Sequence, residues 1–476
     1  MRELVTYLLF TCIPVATAQA SAQGQPHSES QLPPQAAYDQ AIRPLEMTRR
    51  SPQNWSEVEL AALKVARDQA EVACAARSPT QFTGDDLLGL ARLCAFAQQW
   101  QPVLQSASKY LQEQLVTSGG NLKRSGALAM AFDYSVQANL SLNDPDSALY
   151  ITQSMLRTVP YDEFASEATN STVHSIQFTH TDQALALLAQ RQPILLSSIK
   201  GHGLLGSGSA GLGAAGAPNL PPFSLEALYA DAIALPTMLQ FANQPGAAAS
   251  SYTELEAALP NNLSSEESTF ISEKRRQYLL LGSHLPLLTS MGSLLDPGAP
   301  APDNLNTEFA YVTVFLLFPD WCNQCLAMGS NFVPVAKDLH DRYHVRFFAL
   351  LAQANPPEKR SVKEVARNPS KDASSAASKS DKAARSGSAQ PERPHVELNL
   401  AVKPTPDALL LGTPTLIVPN ETLNSFAATD FPLVIATDHN GVIRTIQLAP
   451  DNTLAPDGFI YQLVRHILAN WPPAPH

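Results

Sequence analysis

The sequence predicts a multidomain chain: an all-α, helical-repeat-like N-terminal domain followed by an α/β C-terminal domain. Three observations lead there. The chain has 476 residues, more than one hydrophobic core usually serves. From about residue 38 to 200, and again from 224 to 288 after a Gly-rich interruption, apolar residues recur at spacings of three and four, the period of an amphipathic helix. Beyond a Pro- and Gly-rich stretch at 296–303, strand-like apolar runs alternate with helical ones, the order expected of a parallel or mixed sheet. With 45% apolar and 16% charged residues, the chain has enough apolar surface for real cores. A net charge of -11 argues against a nucleic-acid partner, because no basic field offsets the phosphates.

Residues 1–20 read as an export signal. Arg2 precedes an apolar segment from Leu4 to Val15, and Ala18-Gln19-Ala20 gives the small-x-small pattern of a cleavage site. The run is too short to span a bilayer, and Thr11 before Cys12 makes a poor lipid-attachment site, so no membrane anchor is expected. The expected location is therefore exported, periplasmic or extracellular. Residues 21–37 follow as a polar, disordered tether. After cleavage Cys74, Cys94, Cys322 and Cys325 remain, an even set compatible with an oxidising compartment. Cys74 and Cys94 lie near the ends of consecutive helices and are a possible structural disulfide. They are equally readable as small buried apolar residues, since spacing alone does not fix the distance between their Cα atoms.

In the helical domain, assigned to 38–295, Leu60, Leu63, Ala66, Ala70 and Ala73 mark one helix face. Asp85 or Asp86 is placed as the cap of a helix reaching Trp100, and Pro102 fits the first turn of the next, ending near Val116. A second pair occupies roughly 122–141 and 145–158, with Asp144-Pro145 opening its second helix, about 37 residues after the first pair begins. The segments from Ala95 through Trp100 to Leu111, and from Asp146 through Met155 to Pro160, resemble the second halves of tetratricopeptide repeats. That resemblance implies a surface for protein partners; an irregular helical bundle is the competing reading. A Gly-rich loop is expected at 201–222, then helices over 224–242, around 253–259 and over 265–288, the last opened by Ser264 and following acids.

The C-terminal domain, assigned to 300–472, begins with a strand over 308–318, followed by a helix from Cys322 and a strand over 345–351. Residues 355–395 carry many Lys and Arg among Ser, Ala and Pro with almost no large apolar residue, and read as a disordered insertion. A strand at 415–418, a helix over 421–428 and a hairpin turning at Asn440-Gly441 come next. An amphipathic helix over about 457–470, with Phe459, Ile460, Leu463, Val464 and Ile467 on one face, closes the chain.

Trp321-Cys322-Asn323-Gln324-Cys325, entered from the apolar run 311–318, carries the chemistry. Two thiols separated by two residues at a strand-to-helix turn form and break a disulfide with little backbone motion. Cys322, at the cap, is the expected nucleophile because unsatisfied helix N–H groups favour its thiolate. Cys325, one turn in, is the resolving thiol. Trp321 is placed beside the sulfurs as part of a docking surface. A zinc site would need a second ligand pair; there is no second Cys pair, and His340 and His344 lie on the expected helix and at its end, so neither a metal nor a cofactor other than the Cys322–Cys325 disulfide is expected.

This motif and the element order around it resemble the thioredoxin-like superfamily, in particular the TlpA-type exported thiol-disulfide oxidoreductases. The resemblance implies an enzyme that exchanges dithiols and disulfides with protein partners in cell redox homeostasis, those partners being recruited by the helical domain. It further implies a cis-proline facing the two cysteines, with Pro432 favoured over Pro414, and assigns Phe431 and Pro432 together with Trp321 to substrate binding. The sequence departs from the family at three places: Leu316 where a buried acid often assists the resolving thiol, Pro334 four residues later than the usual helix proline, and Asn323-Gln324 in place of a proline-containing pair. These departures motivate a second reading, a helical-repeat scaffold with a weakly active or inactive thioredoxin-like module. A peroxide-reducing branch fits poorly, because Pro319 stands three residues before Cys322 where a Thr is wanted.

Overall fold

The structure, a computed structural model, describes residues 32–49, 56–117, 126–205, 223–288, 292–293, 311–353, 415–450 and 452–471. The export segment with Cys12, the tether up to residue 31, the Gly-rich stretch from 206 to 222, the basic insertion and Pro414 lie outside the described residues.

Helices fill the first part: α1 (Pro34–Thr48), α2 (Glu57–Ala75), α3 (Asp85–Phe96), α4 (Trp100–Thr117), α5 (Gly126–Ser141), α6 (Pro145–Thr158), α7 (Glu163–Ile176) and α8 (Thr181–Leu205). The first helices of successive pairs pack on one another, α1 on α3, α3 on α5 and α5 on α7, so that each hairpin buries its apolar face against its neighbours. Local signals set the starts. Ser56 and Glu59 form a capping box before α2, and the Asp144 carboxylate accepts from the Ser147 N–H with Pro145 in the first turn of α6, where its missing N–H costs nothing.

Several expectations need correction. The helix begins at Pro34, inside the expected tether, and α8 runs through Gly201 and Gly203 before the Gly-rich stretch. Gly84, at φ +56°, is the cap of α3, and Asp85 and Asp86 occupy its first turn, where negative charge meets the positive end of the helix. On α2 the buried face is Glu59, Ala62, Ala66, Ala70 and Cys74, while Leu60 is exposed. The face is rotated toward Cys74 because that residue is tied to α3.

The expected helix over 224–242 is two helices, α9 (Leu225–Ala232) and α10 (Ala234–Phe241), meeting at Ile233. Pro236 lies one turn beyond, and its ring would collide with the Ala232 carbonyl in a continuous helix. After α11 (Pro245–Ala258), α12 (Ser265–Leu280) stops eight residues short of the expected 288. There the chain becomes extended: Gly282 N–H donates to the Ile443 carbonyl, Ile443 N–H to Ser283, and Leu285 N–H to Gly441.

Those bonds attach the last helical residues to a six-stranded mixed sheet. Its strands are β1 (Gly292–Ser293), β2 (Val312–Pro319), β3 (Arg346–Gln353), β4 (Thr415–Pro419), β5 (Leu433–Asp438) and β6 (Ile443–Leu448), ordered β1-β4-β3-β2-β5-β6. β2, β3 and β4 are parallel to one another, β5 runs antiparallel to β2, and β6 completes the hairpin. β1 pairs antiparallel with β4 while residues 282–285 bond to the start of β6. Residues 292–293 thereby cover β4 and residues 282–285 cover the start of β6, which satisfies backbone groups that would otherwise template foreign strands.

Every residue of β2 is buried, and its alternation feeds two cores. Val312, Val314, Leu316 and Phe318 join a core with α14 (Phe332–Tyr343) and α16 (Phe459–Asn470), two C-terminal helices whose neighbours in the chain are the short α13 (Asn323–Ala327) and α15 (Glu421–Ser425). Ile176, Leu188 and Phe241 of α7, α8 and α10 enter the same core. Phe315 and Leu317 face the other way, to a core containing Leu225, Leu255, Ile271 and Tyr278 of α9, α11 and α12. The expected boundary near 300 thus separates two types of architecture but not two cores.

Candidate functional site: a disulfide at the end of the central strand

β2 carries the chain to the carboxyl end of the sheet, between parallel β3 and antiparallel β5. The turn that follows is fixed by two backbone bonds, from the Asp320 N–H to the Ala352 carbonyl of β3 and from the Cys322 N–H to Pro319. Cys322 is the N-cap of α13, and its Sγ accepts the Cys325 N–H at 3.3 Å. Cys322 and Cys325 form a disulfide, with Sγ atoms 2.01 Å apart and Cα atoms 5.3 Å apart.

The two sulfurs sit in unlike surroundings. Cys325 is fully buried beside Leu326 in the core that contains Leu316, whereas Cys322 is half-buried at its margin. An incoming thiolate reaches Cys322 first. Once the bond is reduced, the Cys325 N–H stands ready to stabilise a Cys322 thiolate, the ordinary way a thiol at a helix cap is made more acidic.

Trp321 is 59% exposed, so it is no core plug, and its ring meets Phe431 edge-to-face with centroids 5.6 Å apart. Phe431 is half-buried and opens β5 through a cis peptide bond to Pro432, whose carbonyl accepts from Ala449 N–H at 2.8 Å. The residues Trp321, Cys322 and Phe431 thereby form one rim at the end of the sheet. α13 stops at Ala327, a 3-10 turn spans Met328–Asn331, and α14 starts at Phe332. Pro334 falls in the first turn of α14, where no N–H is needed, which accounts for its later position in the sequence.

The second pair of cysteines is also bridged. Cys74 of α2 and Cys94 of α3 have Sγ atoms 2.03 Å apart, and both are buried in the core of the first two hairpins. Neither sulfur is open to a partner.

Sequence reading missed the polar and aromatic groups that hold the helices against the sheet. Arg191, fully buried on α8, donates to the Asn170 side chain and to the Asp231 carbonyl, each at 2.7 Å. The Asp231 carboxylate in turn accepts from Tyr161, Ser166 and Asn170, and burial pushes the Tyr161 hydroxyl pKa up. Only a buried Arg in an apolar stretch of α8 signals this network, and the bonds named here join residues 21 to 70 apart in the chain.

Beside it, His174 stacks on Phe459, and His466 stacks on Phe241 with centroids 4.2 Å apart; Phe178 packs edge-on against Phe459 and Phe241. Burial lowers the pKa of both histidines below the ordinary imidazole value. α16 of the sheet unit is thus clamped to α7 and α10 by rings from both.

Among the described residues there is no group of three or more His, Cys, Asp or Glu that would hold a metal, and no helix long and apolar enough to cross a membrane. Comparison with known protein families, with curated proteins and with solved structures found no match to this chain.

Proposed function

We propose that this chain is an exported thiol-disulfide oxidoreductase whose C-terminal unit is thioredoxin-like, of the TlpA type. The observation that carries the reading is the asymmetry of the Cys322–Cys325 disulfide: one sulfur at the margin with a backbone N–H aimed at it, the other sealed in the core. Support comes also from the placement of the pair after a central strand flanked by one parallel and one antiparallel neighbour, and from the cis Phe431–Pro432 bond beside it. The resemblance implies a cis-proline facing the two cysteines, with Pro432 favoured.

In the reducing direction the Cys322 thiolate attacks one sulfur of a partner disulfide. A Cys322–partner bond forms and the partner's other sulfur leaves as a thiolate. The Cys325 thiolate then attacks Cys322 Sγ and displaces the second partner thiolate. The partner gains two electrons and the Cys322–Cys325 bond is restored. The oxidising direction is the same sequence reversed. Trp321 and Phe431 supply apolar surface for the partner chain, and the stacked helices bring it near.

The test is direct. Cys322→Ser removes the attacking sulfur and should abolish insulin reduction, while Cys325→Ser should accumulate a Cys322–partner mixed disulfide. Wild-type rates from Cys322→Ser would sink the proposal. One observation favours the second reading, a scaffold whose redox module turns over slowly: Leu316, fully buried on β2, puts an aliphatic side chain where an acid would assist Cys325. A trapped mixed disulfide from Cys325→Ser with no turnover of the wild type would select it.

A further inference from the structure

The first hairpin of the stack exposes an apolar stripe that the redox reading does not use. Terminal hairpins of stacked helical arrays normally present a polar outer face, since nothing stacks on them. Here α2 exposes Val58 (66%), Val65 (46%) and Val72 (73%), spaced seven residues apart, with exposed Ala61 and Ala75 at two of the three d positions and Asp68 at the third. The helix buries a different face, Glu59, Ala62, Ala66, Ala70 and Cys74, within its own core, so the stripe is a second packing surface.

The geometry points to a second copy of this chain as its occupant, paired antiparallel along α2. The charges choose that orientation. In an antiparallel pair with Val65 opposite Asp68 of the other copy, Val58 meets Ala75 and Ala61 meets Val72. The flanking Lys64 then faces Glu71 at both symmetric positions. A parallel pair would set Asp68 against Asp68 at the seam and bring no opposite charges together. Among the described residues Lys64 bridges to Asp68 on its own helix, and both groups are well exposed, so this weak pair can be exchanged for one with the partner.

α2 is 19 residues long, and a two-helix contact of that length buries on the order of 1,000 Å², the low end for a specific interface. The dimer should accordingly be weak, with a Kd of roughly 1–100 µM. The inference is independent of the redox proposal.

Sedimentation velocity of the full chain from about 1 to about 200 µM tests it. A monomer–dimer equilibrium is expected, with Val65→Lys raising Kd at least about 20-fold while leaving the circular dichroism and melting of the monomer unchanged. Lys64→Glu and Glu71→Lys should each weaken the dimer several-fold, and the double variant should restore it. Three results would overturn the inference: a monomer throughout the range, a dimer indifferent to Val65→Lys, or a double charge reversal that fails to rescue. A monomer that dimerises once residues 21–31 are deleted would also overturn it, by showing that the chain covers its own stripe.

Discussion

The two disulfides have nearly the same Cα–Cα separation, 5.2 Å for Cys74–Cys94 and 5.3 Å for Cys322–Cys325, and opposite surroundings. The first joins two long helices through a 20-residue separation and is enclosed by Ala70, Leu90, Leu93 and Val103. The second spans three residues, with one sulfur at the margin of a core and a backbone N–H pointing at it. The same bond is sealed from any thiolate in the first setting, and in the second leaves one sulfur at the core margin beside a backbone N–H. Accessibility and hydrogen bonding, not the bond itself, separate the two.

The largest difference between the two disulfides is expected at Cys322. Replacing it with Ser should lower disulfide exchange on insulin by at least about 1,000-fold, equivalent to roughly 4 kcal/mol of barrier. Cys74→Ala with Cys94→Ala should leave the rate within about twofold wherever the protein is folded.

The converse experiment reads stability. Removing Cys74–Cys94 should cost about 3 kcal/mol in urea unfolding, from the loop it closes in the unfolded chain. Reducing Cys322–Cys325 should cost about 1.5 kcal/mol less, because its loop is far shorter. Equal losses would mean that the buried pair is not the structural one.

A smaller effect is expected from Trp321→Ala. Its exposed ring contacts Phe431 but little of the core, so the rate on a protein disulfide should fall about tenfold, near 1.4 kcal/mol, with the melting temperature unchanged. The rate on a small disulfide such as hydroxyethyl disulfide should move much less.

The smallest effect lies in the pH dependence of stability, where two regions act with opposite sign. His174 and His466, at the junction of the helices and the sheet, have folded-state pKa values lowered by burial. The unfolded chain takes up their protons first, so stability is full above about pH 6.5 and falls as the pH drops below it. Asp133 on α5 is raised to about 7 by burial, with only a long bond from Gln137 to offset this. Its contribution is present below about pH 4 and is lost as the pH rises toward 7. His466→Phe, which keeps a ring on Phe241, should flatten the acid-side loss, and Asp133→Asn should flatten the loss on the other side. Urea midpoints between pH 4 and 8 read both, and unchanged slopes would show that these groups are not buried as described.

Much of the local structure was legible because its causes are local. Asp144-Pro145 places α6 at Pro145–Thr158, where the sequence had it, and Ser264 with Glu267 opens α12 through a capping box. Asn440-Gly441 turns the β5–β6 hairpin, Gly441 taking φ +72°. The misreadings arose where a distant partner decides. Leu60 looked like a core residue by its spacing, but the tie to Cys94 turns α2 so that Leu60 faces out. Residues 281–288 looked helical, yet the open edge of β6 offers them backbone partners that a further helical turn would forgo.

The residues alone carry most of the element types, the order of the two architectures and the Cys-x-x-Cys pair at a strand end, since propensity, capping and period act within a few residues. The tertiary structure alone decided that Cys74 and Cys94 are bridged, that Phe431–Pro432 is cis, and that one sulfur of the second pair is buried and the other is not. It also decided that helices from the first architecture complete both faces and edges of the sheet in the second. Those outcomes depend on which residues far apart in the chain share a core, and no local pattern carries that information.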